Sequence, residues 1–325
     1  PSVTVGEHGK SLDVGSDARP QIVADSKGNV FLAYAFFKDA KWNAQINTAR
    51  STDGGNSFTN SEVLISSGAS ERFPAVLIRP NGSIFTAWID KRLVAAAKQS
   101  GQPKLGGSVA YSFSNDGGKT FVVERIANAD SCECCRIGAS LDPNGNPVII
   151  YRAIFTGGIR DHATQVIAPE GAEQIRRVSR DDWKTDACPH HGPTIAVSNT
   201  GAYHVAWFTQ GKARSGVFYA QSRNQGKTYS TPLRVGNEDA NVSRPYLLTV
   251  DRSVWLVWKE FNGHVTSVLM KKSDDDGVTW SRPTSVARTA DYSDHPLLIA
   301  HDKQVYLSWL TRAEGYQFIK IGQIE

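Results

Sequence analysis

The side chains best suited to chemistry are gathered in two short segments. Cys132-Glu133-Cys134-Cys135 holds three of the chain's four cysteines, and Cys188-Pro189-His190-His191 holds the fourth beside two histidines. Thiolate and imidazole are ligands for soft or borderline metals: copper(I), zinc(II) and, at the margin, an iron–sulfur centre. The Cys-x-Cys-Cys spacing is unlike a zinc finger and tighter than a ferredoxin run. Copper(I), which accepts two or three ligands in irregular geometry, suits it better, with zinc as the alternative. Met270 is the only methionine, which excludes a methionine-rich copper site. On extended backbone the side chains at 132 and 134 point one way and 135 the other. The expected core ligands are therefore Cys132, Cys134 and Cys188, completed by His190 or His191, with Cys135 turned aside. Two other readings of these sulfurs stay open. One is a pair of disulfides, of which one would bridge near neighbours and be strained and reducible. The other is a set of redox-active thiols.

Two repeats must position these segments. The first is a turn: Ser51-Thr-Asp53-Gly-Gly55-Asn-Ser57-Phe58, Ser114 to Phe121, Ser222 to Tyr229 and Ser273 to Trp280 share Ser-x-Asp/Asn-x-Gly-x-Ser/Thr-aromatic. In such a turn the Asp or Asn side chain accepts backbone N–H bonds, Gly takes a positive φ, and the aromatic anchors the turn to a sheet. The second repeat is an apolar run, a small polar turn, and another apolar run ending in an aromatic. It begins near positions 20, 74, 137, 193, 245 and 296, and its second run ends in Tyr34, Trp88, Tyr151, Trp207, Trp258 and Trp309. That spacing is one four-stranded blade. The runs have strand length and composition, and no long helical period appears. The sequence predicts an all-β, six-bladed propeller with four-stranded antiparallel blades, one domain over residues 1–325. Blade six lacks room for its fourth strand after 317–322; Ser2-Val-Thr-Val-Gly6 is expected to fill that gap and close the ring.

These turns and phased runs resemble the sialidase superfamily, the Asp-box propellers. The resemblance covers the whole chain. It implies that the loops before each first strand and after each second strand share one face, opposite the Asp boxes, and that this face holds any site. Both cysteine segments lie on it. The resemblance also implies three arginines that clamp a substrate carboxylate, a Tyr nucleophile activated by a Glu, and an Asp acid/base. Arg19 and Arg244, each before a Pro, match two clamp positions; Arg214 is a weak match for the remaining one. Tyr292 resembles the nucleophile and Asp39 the acid. At the position of the activating Glu this chain has Cys188-Pro-His190-His191-Gly192, with no carboxylate nearby. A Tyr whose pKa stays near ~10 is a poor nucleophile without that base.

Other residues of this face have ordinary readings beside functional ones. Asp294-His295 is a ligand pair or a strand-start Asp with a solvated His. Arg136 either favours a thiolate at Cys135 or forms a rim salt bridge like Arg72. Asp161-His162 lies in a loop of blade three on the same face. The chain carries 36 basic and 32 acidic residues, net +4, too mild and scattered for nucleic acid. No run is long and apolar enough to span a membrane. The chain opens on Pro1, which a cleaved leader or a trimmed sequence fits equally; Asp boxes and abundant Trp suggest export, periplasmic or secreted. Three functions follow: a propeller binding copper or zinc through its Cys/His cluster, a sialidase-type glycoside hydrolase, and a non-catalytic face for a protein or glycan partner.

Overall fold

A computed structural model describes residues 3–6, 11–15, 17–66, 69–187 and 189–324. Six antiparallel sheets follow one another along the chain. Blade one is β1 (Gln21–Ala24), β2 (Val30–Phe37), β3 (Ala44–Ser51) and β4 (Glu62–Val63). Blade two is β5 (Glu71–Ile78), β6 (Ile84–Asp90), β7 (Gly107–Ser114) and β8 (Arg125–Ser131), with a short helix α1 (Arg92–Gln99) between β6 and β7. Blade three is β9 (Gly138–Leu141), β10 (Pro147–Arg152), β11 (His162–Ala168), β12 (Gly171–Ala172) and β13 (Arg176–Arg177). Blade four is β14 (Thr194–Val197), β15 (Tyr203–Gln210), β16 (Ser215–Ser222) and β17 (Leu233–Val235). Blade five is β18 (Asn241–Val250), β19 (Ser253–Phe261), β20 (Thr266–Ser273) and β21 (Thr284–Thr289). Blade six is β22 (Leu297–His301), β23 (Gln304–Thr311) and β24 (Gly315–Gln323).

The Asp-box turns form as their sequence dictates. In blade one, Asp53 Oδ1 accepts the Ser57 amide at 2.9 Å while Ser51 Oγ accepts the Gly55 amide at 2.9 Å. The same pair of bonds recurs around Asp116, Asn224 and Asp275. Hydrogen bonds from Ser57 and Ser51 pull the Asp53 carboxyl down to about 2.

Between strands, alternation sends one face of each blade toward the next. Five apolar clusters result, one at each junction from blades one and two to blades five and six. The tryptophans that end the second strands, Trp88, Trp207, Trp258 and Trp309, are all fully buried. Each indole N–H is satisfied: by Asp90, Asp181, Glu260 and the Asp294 carbonyl. Truncating such a ring to alanine costs about 3–5 kcal/mol.

The junction of blades six and one is different. No apolar cluster spans it among the described residues; Arg19 crosses it to the Asp294 carboxylate and to the His295 carbonyl, the latter at 3.2 Å. Ile22, Ile299, Tyr316 and Phe318 remain exposed. The expected fourth strand of blade six is also corrected. Residues 3–5 join no sheet, and blade six stops at three strands among the described residues. The N-terminal segment pairs instead with blade one: the Phe37 amide donates to the Ser11 carbonyl at 2.8 Å and the Asp13 amide to the Ala35 carbonyl at 2.9 Å. The reason is β1, whose four residues cover only half of the eight-residue β2 and leave its far end unpaired.

A buried network locks the blade-five Asp box onto blade four. His204 accepts from the Tyr219 hydroxyl at Nδ1 (2.7 Å) and donates from Nε2 to Asp276 (3.0 Å), a neutral tautomer assigned from these partners. Burial, ahead of the opposing Asp276 bond, holds the His204 pKa below its ordinary 6.5. The unfolded chain therefore binds the extra proton first. The contribution is present above pH 6.5 and is lost as pH falls, with a slope of at most about 1.4 kcal/mol per pH unit. The urea midpoint should drop between about pH 7.5 and pH 5.5, and His204→Gln should start lower but fall less steeply. An unchanged slope in the variant would assign the acid sensitivity elsewhere.

Candidate metal centre

β8 ends at Ser131, and the Cys132 amide donates to the Arg152 carbonyl at 2.9 Å, so the chain leaves the sheet beside β10. Residues 133 and 134 then turn before β9. That turn, rather than extended backbone, decides where the sulfurs go. Cys132 Sγ lies 3.5 Å from Cys134 Sγ and 3.9 Å from Cys135 Sγ. The three sulfurs fall within 4.8 Å of one another as buried free thiols. Cys135 thus joins the cluster, against the expectation from strand alternation. Cys188 lies outside the described residues.

The surroundings are unusually polar for a buried site. Arg152 on β10 is 1% exposed. Its Nη2 donates to the His191 carbonyl at 2.9 Å, while Nε and Nη1 have no partner among the described residues, and the guanidinium lies 4.1 Å from the Trp183 ring centre. Burial opposes the Arg152 charge, but Cys135, Cys132, Cys134 and Asp17 outweigh it and hold its pKa above the ordinary value. Arg160 donates to Cys132 Sγ at 3.6 Å. Hydrogen bonds from Cys134 and Cys135, reinforced by Arg152, push Cys132 far below the usual thiol range. Those same bonds keep Cys134 and Cys135 protonated. The thiolate is thus favoured at Cys132, where two thiols and Arg160 donate to it and Arg152 acts through its charge.

The histidines divide. His162 pairs with Arg152 across the sheet, is buried, and has neither ring nitrogen partnered among the described residues. Burial and Arg152 keep it neutral. His191 stacks on Phe208 at 4.1 Å, and burial together with Arg244 lowers its pKa to about 3. His190, in the left-handed region at φ 50°, gives its carbonyl to Arg244 and shares with Cys134 the wall of a cleft of about 700 Å³. No histidine nitrogen lies inside the three-sulfur group among the described residues. Sequence reasoning passed over Arg152 and Arg160 and set His162 aside. The available signal was Arg152's place at the end of a wholly apolar strand.

The expected clamp residues converge at the channel, but on the protein's own carboxylates. Arg244 and Arg136 both reach Asp17, at 2.5 and 3.3 Å, and the Gly192 amide donates to the same carboxylate at 2.5 Å. Arg19 pairs with Asp294, and its pKa is lowered by burial first and by Arg244 among its neighbours. Tyr292 is 64% exposed and has no hydrogen bond to its hydroxyl among the described residues. Asp39 sits in an exposed turn, its carboxylate accepting the Lys41 amide at 2.8 Å and the Asn43 amide at 3.2 Å. The Asn43 side chain, the largest influence, lowers the Asp39 pKa and keeps it ionised. Arg214 is bound to Asp181 and Ser179 instead of the channel cluster.

Comparison with known proteins concerns the architecture. No family model and no curated protein matches the chain. Solved structures do. A Dyadobacter fermentans protein of unknown function superposes with a TM-score of 0.64 at 15% identity, covering 96% of this chain and 94% of that one. The intramolecular trans-sialidase of Ruminococcus gnavus gives 0.63 at 10% identity, covering 98% and 97%. The fold is that of the sialidase-like propellers. A polysaccharide lyase, ulvan lyase, shares it at a TM-score of 0.58 and 13% identity, covering 95% of this chain and 79% of that one. This sialidase-like propeller therefore shares a scaffold with proteins of different chemistries, and its own chemistry has to be argued from its residues.

Arg152 gives the site a direct test. Reduced, metal-free protein should show thiolate absorbance near 240 nm at neutral pH. Arg152→Met should shift its onset upward by about one pH unit or more, because a neighbouring cation is gone. A titration unchanged by the substitution would show that Arg152 does not hold the thiolate.

Proposed function

We propose that this sialidase-like propeller binds a soft metal ion, copper(I), through Cys132, Cys134 and Cys135, with zinc(II) as the alternative occupant. The observation that carries the reading is the convergence of three buried sulfurs in one group. Three sulfurs each about 2.3 Å from one ion would stand about 4 Å apart, and Cys132 Sγ lies 3.5 and 3.9 Å from the other two. Charge supports the monovalent ion. A copper(I) ion with three thiolates carries two excess negative charges, and Arg152 and Arg160 supply two positive ones. The cleft shared by Cys134 and His190 offers a path for the ion and a nitrogen beside it. The compartment that suits this role is periplasmic or extracellular, where bare thiols oxidise and a bound copper(I) keeps them reduced.

Glycoside hydrolysis is the second reading, favoured by the meeting of Arg19, Arg136 and Arg244. Against it, Asp17 and Asp294 already pair with these guanidiniums, and among the described residues no carboxylate hydrogen-bonds the Tyr292 hydroxyl.

Cys134 and Cys135 must each lose a proton to bind, so affinity should fall about a hundredfold per pH unit on acidification. Competition of reduced protein against a copper(I) chelator at about pH 7 and pH 8 measures this slope. Cys134→Ser and Cys135→Ser should each weaken binding at least tenfold, with near-UV circular dichroism confirming the fold, and Tyr292→Phe should leave binding intact. Unchanged affinity in both cysteine variants, or turnover of a fluorogenic sialoside that vanishes in Tyr292→Phe, would replace this reading with the other.

A further inference from the structure

A second recess lies on the Asp-box side, between blades two and three, and the metal reading makes no use of it. Its volume is about 550 Å³, within the range of small-ligand sites. The turn after β5 brings Arg79, the start of β8 brings Arg125, and β7 brings Tyr111 and Phe113. Blade three closes it with Ala168 and Pro169 at the end of β11.

The polar groups here are donors. Arg79 uses Nε on the Gly145 carbonyl at 2.8 Å, which leaves its terminal nitrogens free of any partner among the described residues. Its guanidinium lies 5.4 Å from the Phe113 ring centre and is held in place by that ring. Arg125 makes one long contact, 3.4 Å, to the Glu170 carbonyl. Tyr111 is buried, yet its hydroxyl has no hydrogen-bond partner among the described residues. Of these donors, Tyr111 and Arg125 meet over Gly171, and Arg79 stands in the same wall beside Phe113. A Cβ at that glycine would stand 3.9 Å from Tyr111 Oη and 4.0 Å from Arg125 Nη1, and nothing closer occupies the space. Gly171 has φ +145°, a conformation that side-chain-bearing residues avoid, so the gap stays open.

No carboxylate lines the recess, and neither Arg79 nor Arg125 has an ion-pair partner among the described residues. Two guanidiniums and a phenol that line one recess without an acid call for an anion with planar oxygens. Apart from Ser112, whose hydroxyl donates to the Val122 carbonyl, and Asn115, the rest of the wall is apolar: Phe113, Val122, Val123, Ala168 and Pro169, with Val123 83% exposed at the rim. An apolar residue so exposed beside unpaired cations fits a ligand with an apolar body and an anionic head.

We infer that this recess is a binding site for a small amphipathic carboxylate. The carboxylate sits over Gly171 between Arg125, Tyr111 and Arg79, and an aromatic or short aliphatic body lies against Phe113 and Val123. The site is independent of the cysteine cluster, which belongs to the opposite end of the blades.

Calorimetric titration of the full chain with 3-phenylpropionate tests it, beside the neutral 3-phenylpropanamide and the polar acid galacturonate. Saturable binding of 3-phenylpropionate is expected, with the amide and galacturonate each at least about tenfold weaker. Arg125→Gln should weaken the carboxylate about tenfold or more and leave the amide unchanged. Val123→Asp, at an exposed position that does not threaten folding, should weaken it through charge repulsion. Absence of saturation up to about 10 mM, equal binding of the amide, preference for galacturonate, or full binding in both variants would each overturn the inference.

Discussion

A guanidinium that folding takes out of water has to find negative charge, and Arg152 finds it in sulfur. The cost of burying an unpaired cation is several kcal/mol. Around Arg152 the groups that offset it are Cys135, Cys132 and Cys134, with Asp17 next. The thiolate and the guanidinium thus stabilise each other, and neither is comfortable alone. This coupling explains why three thiols can stay close together without a bridge: one is ionised, two donate to it, and two arginines balance it. It also leaves nitrogens of Arg152 and His162 without partners among the described residues, the kind of loose polar end that a buried ion or water would satisfy.

The propeller makes the arrangement affordable by separating tasks. Apolar clusters at five junctions and four buried tryptophans supply cohesion well away from the polar channel. The blade connections on one face then need little apolar content of their own. They carry instead a chain of charges: Arg19 with Asp294, Arg136 and Arg244 with Asp17, Arg72 with Asp13. At the junction of blades six and one this polar layer takes over from apolar packing, so the ring is joined there by ions. The arginines that gather at the channel are each already paired with a carboxylate of the protein.

Much of the fold was legible because its signals are local. A Ser-x-Asp-x-Gly-x-Thr turn folds from its own hydrogen bonds, and an aromatic ending each second strand is buried whatever its neighbours do. Blade six was harder, since the pairing of the N-terminal segment depends on how much of β2 the short β1 leaves free. Helix α1 escaped because its eight residues, about two turns, are too few to register as a long helical period. Within the site, the grouping of Cys132 with Cys134 followed from spacing, whereas Cys135 depended on a turn that the extended-strand argument missed. Asp39 could have been placed from sequence. Its Asp-x-x-x-Asn pattern repeats at Asp25 to Asn29 and Asp142 to Asn146, and all three aspartates cap their own turns with matching bonds. Arg152 left one local signal, its place at the end of an apolar strand, but its pairing with His162 beside the sulfurs depends on cross-strand register.

The central claim is that three sulfurs of one loop share a single soft ion. X-ray absorption at the copper edge of reduced protein loaded with one equivalent of copper(I) tests it most directly. The account requires a first shell of three sulfur scatterers at about 2.3 Å. A first shell made mainly of nitrogen or oxygen, or a sulfur shell unaltered in Cys132→Ser, would contradict it.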